Sequence, residues 1–457
     1  MIHDQRIKQL NHLKPNNRQY ILYWMQAAQR VEYNHALEYA IDMANSRGKP
    51  LIVYFGITPN FPEANLRHYT FMLQGLKDVH TALKDRKIKM IIRLGSPEKG
   101  VLALADYADC TVVDRGYLKI QKQWRHHAAQ YINSPLIQIE SDVIVPVETV
   151  SKKEEYSAAT IRKKIHKIID HFLVPCTPRE IKVASDGMDI SSLDINSIED
   201  SLPGLHTENS IKPVSFFHGG KNAAASLFEQ FLETKLDRYA ECRNNPDIPM
   251  TSDLSPYLHF GQISPLWIAL NILMTQSAGS EVFLEQLIIR RELAINFVHY
   301  NQFYDSCQGL PDWCQKTLAL HSGDTRDYLY SREDLENAET HDPYWNAAQI
   351  ELLLTGKMHN YMRMYWGKKI IEWSTNPEKA YQTALYLNNT YGLDGRDPNS
   401  FAGVAWCFGK HDRPWSSRPV FGSIRYMNDK GLKRKFDMNA YIERINKLKN
   451  KLLSPDL

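Results

Sequence analysis

Only six cysteines occur in 457 residues: Cys110, Cys176, Cys242, Cys307, Cys314 and Cys407. None forms a CxxC pair, and none stands with histidine at zinc-site spacing. This excludes a disulfide-stapled or zinc-organised fold and suits a reducing compartment. Long apolar runs are also missing. Nothing approaches the ~18 residues that a membrane span needs, and MIHDQRIKQL at the start lacks the apolar core of a secretory signal. The expectation is a protein of the cytosol, or of the nucleus if the source is eukaryotic, with no membrane partner. No GxGxxG or GxxxxGK[ST] follows an apolar run, so a standard NAD or ATP site is not indicated. No metal cluster and no nucleophile–base arrangement is visible. Internal repeats and low-complexity tracts are absent too. The net charge is only +3, so any polyanion must be met by charge gathered locally.

Such a gathering exists over 410–435. There Lys410, Arg413, Arg418, Arg425, Lys430, Lys433, Arg434 and Lys435 face only Asp412 and Asp429, giving 8 − 2 = +6. A second group is Arg162, Lys163, Lys164 and Lys167. Each reads either as a solvated surface or as a phosphate-contacting one. With 43% hydrophobic and 23% charged residues the chain is of ordinary globular composition.

The first third alternates apolar runs with helical stretches. Strands are expected at 20–25, 50–57, 89–95, 110–114 and 136–140, and helices at 26–47 and 63–86. This alternation predicts a parallel sheet with crossover helices. Residues 176–220 lose periodicity and read as a connector. From 221 onward the pattern is helical, with segments at 221–243, 264–276, 280–300, 345–373 and 376–390, and it holds seven of the nine tryptophans. The predicted fold class is therefore α/β plus all-α. A Rossmann-like parallel-sheet domain spans 1–175, a linker 176–220 and an all-helical domain 221–457.

Three segments of the helical half carry a family resemblance. They are RNNPDIPMTSDLSPYLHFGQIS (243–264), HDPYWNAAQIELLLTGKMHNYMRMYWGKKIIEW (341–373) and YLNNTYGLDGRDPNSFAGVAWCFGKHDRPW (386–415). Together they resemble the class II photolyases of the photolyase/cryptochrome family, and the likeness extends more weakly through YWM, RHYTFML and IQKQW in the first half. The resemblance implies an FAD enzyme that repairs pyrimidine dimers in ultraviolet-damaged DNA with blue light, acting as a monomer. It also implies a possible antenna chromophore, a deazaflavin or a folate, on the α/β domain.

Site roles follow from the same resemblance. Thr251, Ser252, Leu254 and Ser255 would hold the FAD diphosphate, although TSDLS alone reads as an ordinary helix cap. Tyr239 would be a further flavin contact. Arg363 and Asp394 resemble the ion pair at the isoalloxazine; such a pair is otherwise a plain structural bridge. Asn388 resembles the asparagine facing flavin N5, with Asn389 the alternative if the register slips. Its amide can present oxygen or NH₂ and so serve more than one redox state. Trp345, Trp366 and Trp373 match an electron-transfer triad running from the surface inward, where an indole stripe is otherwise core. The seven-residue spacing of Trp366 and Trp373 predicts one helix face and a separation of about 10 Å. Met364 and Trp406 would line the pocket for the everted dimer, Arg243 and Asn244 would lie near flavin and dimer, and Arg413 would meet the DNA or lesion. Two departures stand out: Gln286 occupies the place of a glutamate that bonds the dimer, and Ile295 stands near an expected acid. Both favour a second reading, a cryptochrome-like light sensor with weak or no repair.

Overall fold

A computed structural model describes residues 2–197 and 211–453. Six strands form one sheet: β1 (Ile7–Gln9), β2 (Tyr20–Trp24), β3 (Leu51–Ile57), β4 (Lys89–Leu94), β5 (Ala108–Asp114) and β6 (Leu136–Ile139), in the order β1-β6-β5-β2-β3-β4. All pairings are parallel except β1 with β6, a short antiparallel edge that the sequence pattern did not reveal. β2 and β5 are buried at every residue, as expected of strands covered by helices on both faces. The chain winds one way through β2, β3 and β4 and the other way through β5 and β6. The crevice beyond the carboxyl ends of β2 and β5 is thus a topological switch point.

The predicted helix over 26–47 forms only from His35 to Arg47, capped by Asn34. Residues before it are held as a loop, because the Asp114 carboxylate at the end of β5 accepts the backbone N–H groups of Gln26, Ala27 and Ala28 at 2.7, 2.5 and 2.8 Å. Part of the connector lies along β4. Ser185 N–H donates to Lys87 O at 3.0 Å and Leu193 N–H to Ile92 O at 2.9 Å; the Ser185 and Ser192 hydroxyl oxygens accept from Lys89 and Ile92 N–H. The remainder of the connector, 198–210, lies outside the described residues.

The second half is helical from Lys221. The segment predicted as one helix over 345–373 is two, Pro343–Thr355 and Asn360–Trp373. Gly356 ends the first in the left-handed region, φ 73°, where glycine pays no steric penalty. The predicted helix 221–243 likewise breaks at Lys235, and 280–300 carries a π-helical turn at Glu285–Arg290. Apolar clusters cross between the halves: Ile144 and Val145 pack with Phe228 and Leu266, and Tyr117 and Val147 with Phe297. Arg67 adds polar ties, donating to Tyr391 O at 2.7 Å and Leu353 O at 2.8 Å.

Candidate functional site

The helix Asn360–Trp373 carries Arg363 and Met364 on a half-buried flank and Trp366 on a buried one. Arg363 donates to Asp394 Oδ1 at 2.9 Å, and the Ser255 hydroxyl donates to Asp394 Oδ2 at 2.7 Å. Burial alone would raise the Asp394 pKa. Arg363, the Ser255 hydroxyl and Lys357 outweigh it and hold the carboxyl below its usual range. Lys357 also donates to Asp253 at 2.7 Å, and Lys235 lies 3.7 Å from that carboxylate and donates to Thr251 O at 3.1 Å. Burial raises the Asp253 pKa as well, and the two lysines and the Thr251 hydroxyl pull it below the usual carboxylate range. Arg243 stands over the Tyr239 ring at 5.6 Å.

Thr251, Ser255, Arg363 and Asp394 thus belong to one neighbourhood, which Arg243 with Tyr239 joins at His359, two residues from Lys357; Leu254 is buried and Ser252 half-buried on the same turn as Thr251. Lys235, Asp253 and Lys357 complete it. Lys357 was missed in the sequence because it stands 104 positions from its partner Asp253, and such a separation carries no local signal. The cluster holds four cations (Lys235, Arg243, Lys357, Arg363) against two carboxylates (Asp253, Asp394). The buried Nε atoms of Arg243 and Arg363 have no partner. Unpaired buried guanidinium N–H groups are costly. A surplus of positive charge with donors left over fits an anionic ligand with several acceptor oxygens, as a diphosphate is. Nearby, the helix Pro398–Cys407 has open space at Gly403, where an added Cβ would meet nothing within 4 Å.

Asn388 is buried at the end of the helix Pro377–Tyr391. A Cβ built on Gly392 would lie 2.6 Å from the Asn388 carbonyl oxygen and 3.3 Å from Asp394 Oδ1, so close approach at this glycine keeps Asn388 beside the Arg363–Asp394 pair. Met364 and Trp406 are both half-buried where their helices cross. The crossing is tight at Gly367, whose Cβ would lie 2.6 Å from Cys407 Sγ.

The three tryptophans are contiguous, in an order the spacing did not predict. Trp345 stands between the other two, stacked on Trp366 at 6.2 Å (6° between planes) and edge-on to Trp373 at 5.7 Å. The Trp345 indole N–H donates to Trp366 O at 3.0 Å, and that of Trp366 to Gln349 Oε1 at 2.9 Å. The expected single step of about 10 Å is therefore two shorter ones. Nor do the indoles reach the surface themselves, since Trp373 is 2% exposed. Tyr330 and His341, 5.3 and 5.2 Å from Trp373, continue the row, and the exposed Tyr328 stacks on His341 at 3.7 Å. These three rings were not singled out in the sequence.

Other expectations are modified. Lys410 is buried, bonded to Glu154 and to Gly309 O, and does not belong to an open basic rim. Arg413 and Arg425 instead flank the exposed Trp415 at 5.8 and 5.1 Å. Arg162 is engaged by Glu285 at 2.6 Å, which leaves Lys163 and Lys167 exposed. Gln286 is half-buried on the π turn beside this pair, and Asn244 is exposed.

A separate cavity of about 110 Å³ opens at the switch point of the sheet. Trp24, Phe55, Phe61, Trp124 and Phe260 give it aromatic walls, and Arg396 lines it. The Trp24 Nε1, Gln26 Nε2 and Arg396 Nε atoms are buried there without partners.

Residues 21–182 match the family model described as DNA photolyase. Deoxyribodipyrimidine photo-lyase of Methanothermobacter thermautotrophicus is 52% identical over 98% of this chain and 99% of its own length. That of Potorous tridactylus is 38% identical over 97% and 84%. Among solved structures, a bacterial class III photolyase from Agrobacterium tumefaciens matches with TM-score 0.72 at 17% identity, covering 94% of this chain and 87% of that one. An archaeal photolyase from Sulfolobus tokodaii with two FAD molecules matches with TM-score 0.72 at 17% identity, over 93% and 89%. A Synechocystis cryptochrome shares the same fold, with TM-score 0.72 at 16% identity over 97% and 92%. With curated relatives at 52% and 38% identity along nearly its whole length, the chain belongs to the deoxyribodipyrimidine photo-lyase family.

Proposed function

We propose that this chain is a class II photolyase that holds FAD between Arg363, Asp394 and the Thr251–Ser255 turn and repairs cyclobutane pyrimidine dimers in DNA. The observation that carries the reading is the Arg363–Asp394 pair. Its spare guanidinium N–H sits on the helix whose Trp366 heads a contiguous row of indoles. Bound FAD would supply, in its reduced form under blue light, the electron that opens the dimer. The protein's own residues do the rest. Arg363 keeps a fixed positive charge beside the flavin, which favours an anionic reduced cofactor. Lys235 and Lys357, tied by Asp253, serve the diphosphate. Trp366, Trp345 and Trp373 give a path for refilling the flavin with electrons. Met364 and Trp406 offer an apolar wall for the pyrimidine dimer turned out of the duplex. Arg413, with Trp415, and Arg243 with Asn244 meet the strand and the lesion.

The second cavity, aromatic with one buried cation, suits a planar antenna chromophore carrying negative charge, and a structural neighbour has two FAD molecules. The sensor reading rested on Gln286 and Ile295. Relatives at 52 and 38% identity, both named photo-lyases, favour repair instead.

Purified protein should show flavin absorbance and remove dimers from ultraviolet-irradiated DNA under blue light only. Gln286→Glu should repair as fast or faster, because a carboxyl at this position can donate a proton as well as a hydrogen bond. A colourless protein, or a fully reduced flavoprotein with no dimer loss, would overturn the reading.

A further inference from the structure

The polarity of the hydrogen bonds around Asn388 follows from one donor that cannot be reversed. The Arg396 backbone N–H lies 2.8 Å from an oxygen that must therefore be Asn389 Oδ1. The other end of that amide, Nδ2, donates to Glu63 Oε2 at 2.6 Å. Ser400 Oγ is 2.7 Å from the same Asn389 Oδ1, so the Ser400 hydroxyl has to donate there. With its single proton committed, Ser400 Oγ has only lone pairs to offer Asn388. The atom of Asn388 that lies 2.6 Å away must then be Nδ2. Asn388 Oδ1 is left turned away from Ser400. Flipping the amide would bring two oxygens together with no proton between them.

Asn388, Asn389 and Ser400 are all buried, so water does not loosen this order. The turn that supplies the Arg396 N–H is itself fixed. Arg396 sits at φ 57°, and a Cβ on the preceding Gly395 would lie 2.7 Å from both Asn388 O and Asn389 Cα. Glu63 comes from the other half of the molecule, in the loop between β3 and the helix Leu66–Asp85, next to Phe61 and Ala64 of the aromatic cavity.

We propose that Ser400, Asn389 and Glu63 are positioning residues that lock the Asn388 amide so that its carbonyl oxygen, not its NH₂ group, faces the flavin. This rests on the reading above that sets Asn388 against flavin N5. A carbonyl oxygen accepts a hydrogen bond from a protonated N5 and has nothing to donate to a bare one. The lock therefore stabilises the reduced cofactor, whose N5 bears hydrogen, over the oxidised one. The sequence-based expectation that the amide turns to suit either state is replaced by a fixed orientation that selects one.

The first measurement is the flavin absorbance of the purified parent. Its absence removes the underlying reading and this proposal with it; its presence leaves only the lock in question. Redox titration of Ser400→Ala, which frees Asn388 to turn its NH₂ toward a bare N5, should then give a reduced-to-oxidised ratio at least tenfold lower at fixed potential. That is about 30 mV for a two-electron couple. Ser400→Thr keeps the hydroxyl and should keep the parent potential. A general loss of stability would not sort the two variants in this way. An unchanged potential in Ser400→Ala, or an equal fall in Ser400→Thr, overturns the lock. Neutron diffraction on deuterium-exchanged holoprotein tests it without any variant: deuterium is expected on the Asn388 atom nearest Ser400, and a bare oxygen there overturns it.

Discussion

Arg363 is half-buried and Glu292 fully buried; each keeps one buried polar atom without a partner, yet their surroundings give them opposite fates. Arg363 is balanced by Asp394 and retains donors for a ligand. Arg363→Leu should therefore leave the Asp394 carboxylate without its nearest cation and weaken FAD retention at least tenfold, read as the flavin-to-protein absorbance ratio after gel filtration. Glu292 accepts the N–H groups of Ile144 and Val145 at 2.7 and 3.2 Å, but burial dominates and pushes its pKa up to about 7. An acid whose folded pKa exceeds its unfolded one stabilises the fold fully below the unfolded value. That contribution fades as pH rises through the folded value. Thermal stability should accordingly fall between about pH 4.5 and 7, and Glu292→Gln should flatten that part of the Tm profile. Arg363 stood in a legible motif, whereas the burial of Glu292 depends on a loop nearly 150 positions away.

Among the elements, strands and most helices were legible because their apolar periodicity is local. Failures came where a distant group decided the backbone. Residues 26–34 have helix-compatible composition, but the Asp114 carboxylate takes the N–H groups of Gln26, Ala27 and Ala28 and holds the start of this stretch as a loop. The break at Gly356 is marked in the sequence only by one glycine in LTGKMH, while the helical periodicity continues on both sides of it. The two resulting helices fold against each other and insert Trp345 between Trp366 and Trp373, an arrangement no spacing along one helix reveals. Trp345→Phe should cut light-driven flavin reduction by an external donor at least tenfold, while chemically reduced protein repairs dimers at the parent rate; transient absorption separates the two. The indole N–H groups of Trp345 and Trp366 bond to carbonyl oxygens, which are not bases. Electron passage between them should hence run at the same rate in D₂O.

At the scale of the whole molecule, the two halves share apolar packing and side-chain ties, so the sheet is part of the platform that positions the helical site. Charge is distributed, and only local clusters are free for a polyanion. Binding to damaged duplex should weaken with salt, and removing Arg413 and Arg425 together should flatten the log–log slope by roughly 2, at about 0.9 for each phosphate no longer neutralised. The connector along β4 has a further consequence. An outermost strand normally offers a row of open amides on which a second chain can build. Here serine hydroxyls and two backbone bonds already occupy that row, and the opposite border is a strand of only three residues. The sheet thus presents little template for cross-chain growth, which protects concentrated protein from assembling into fibrous aggregates.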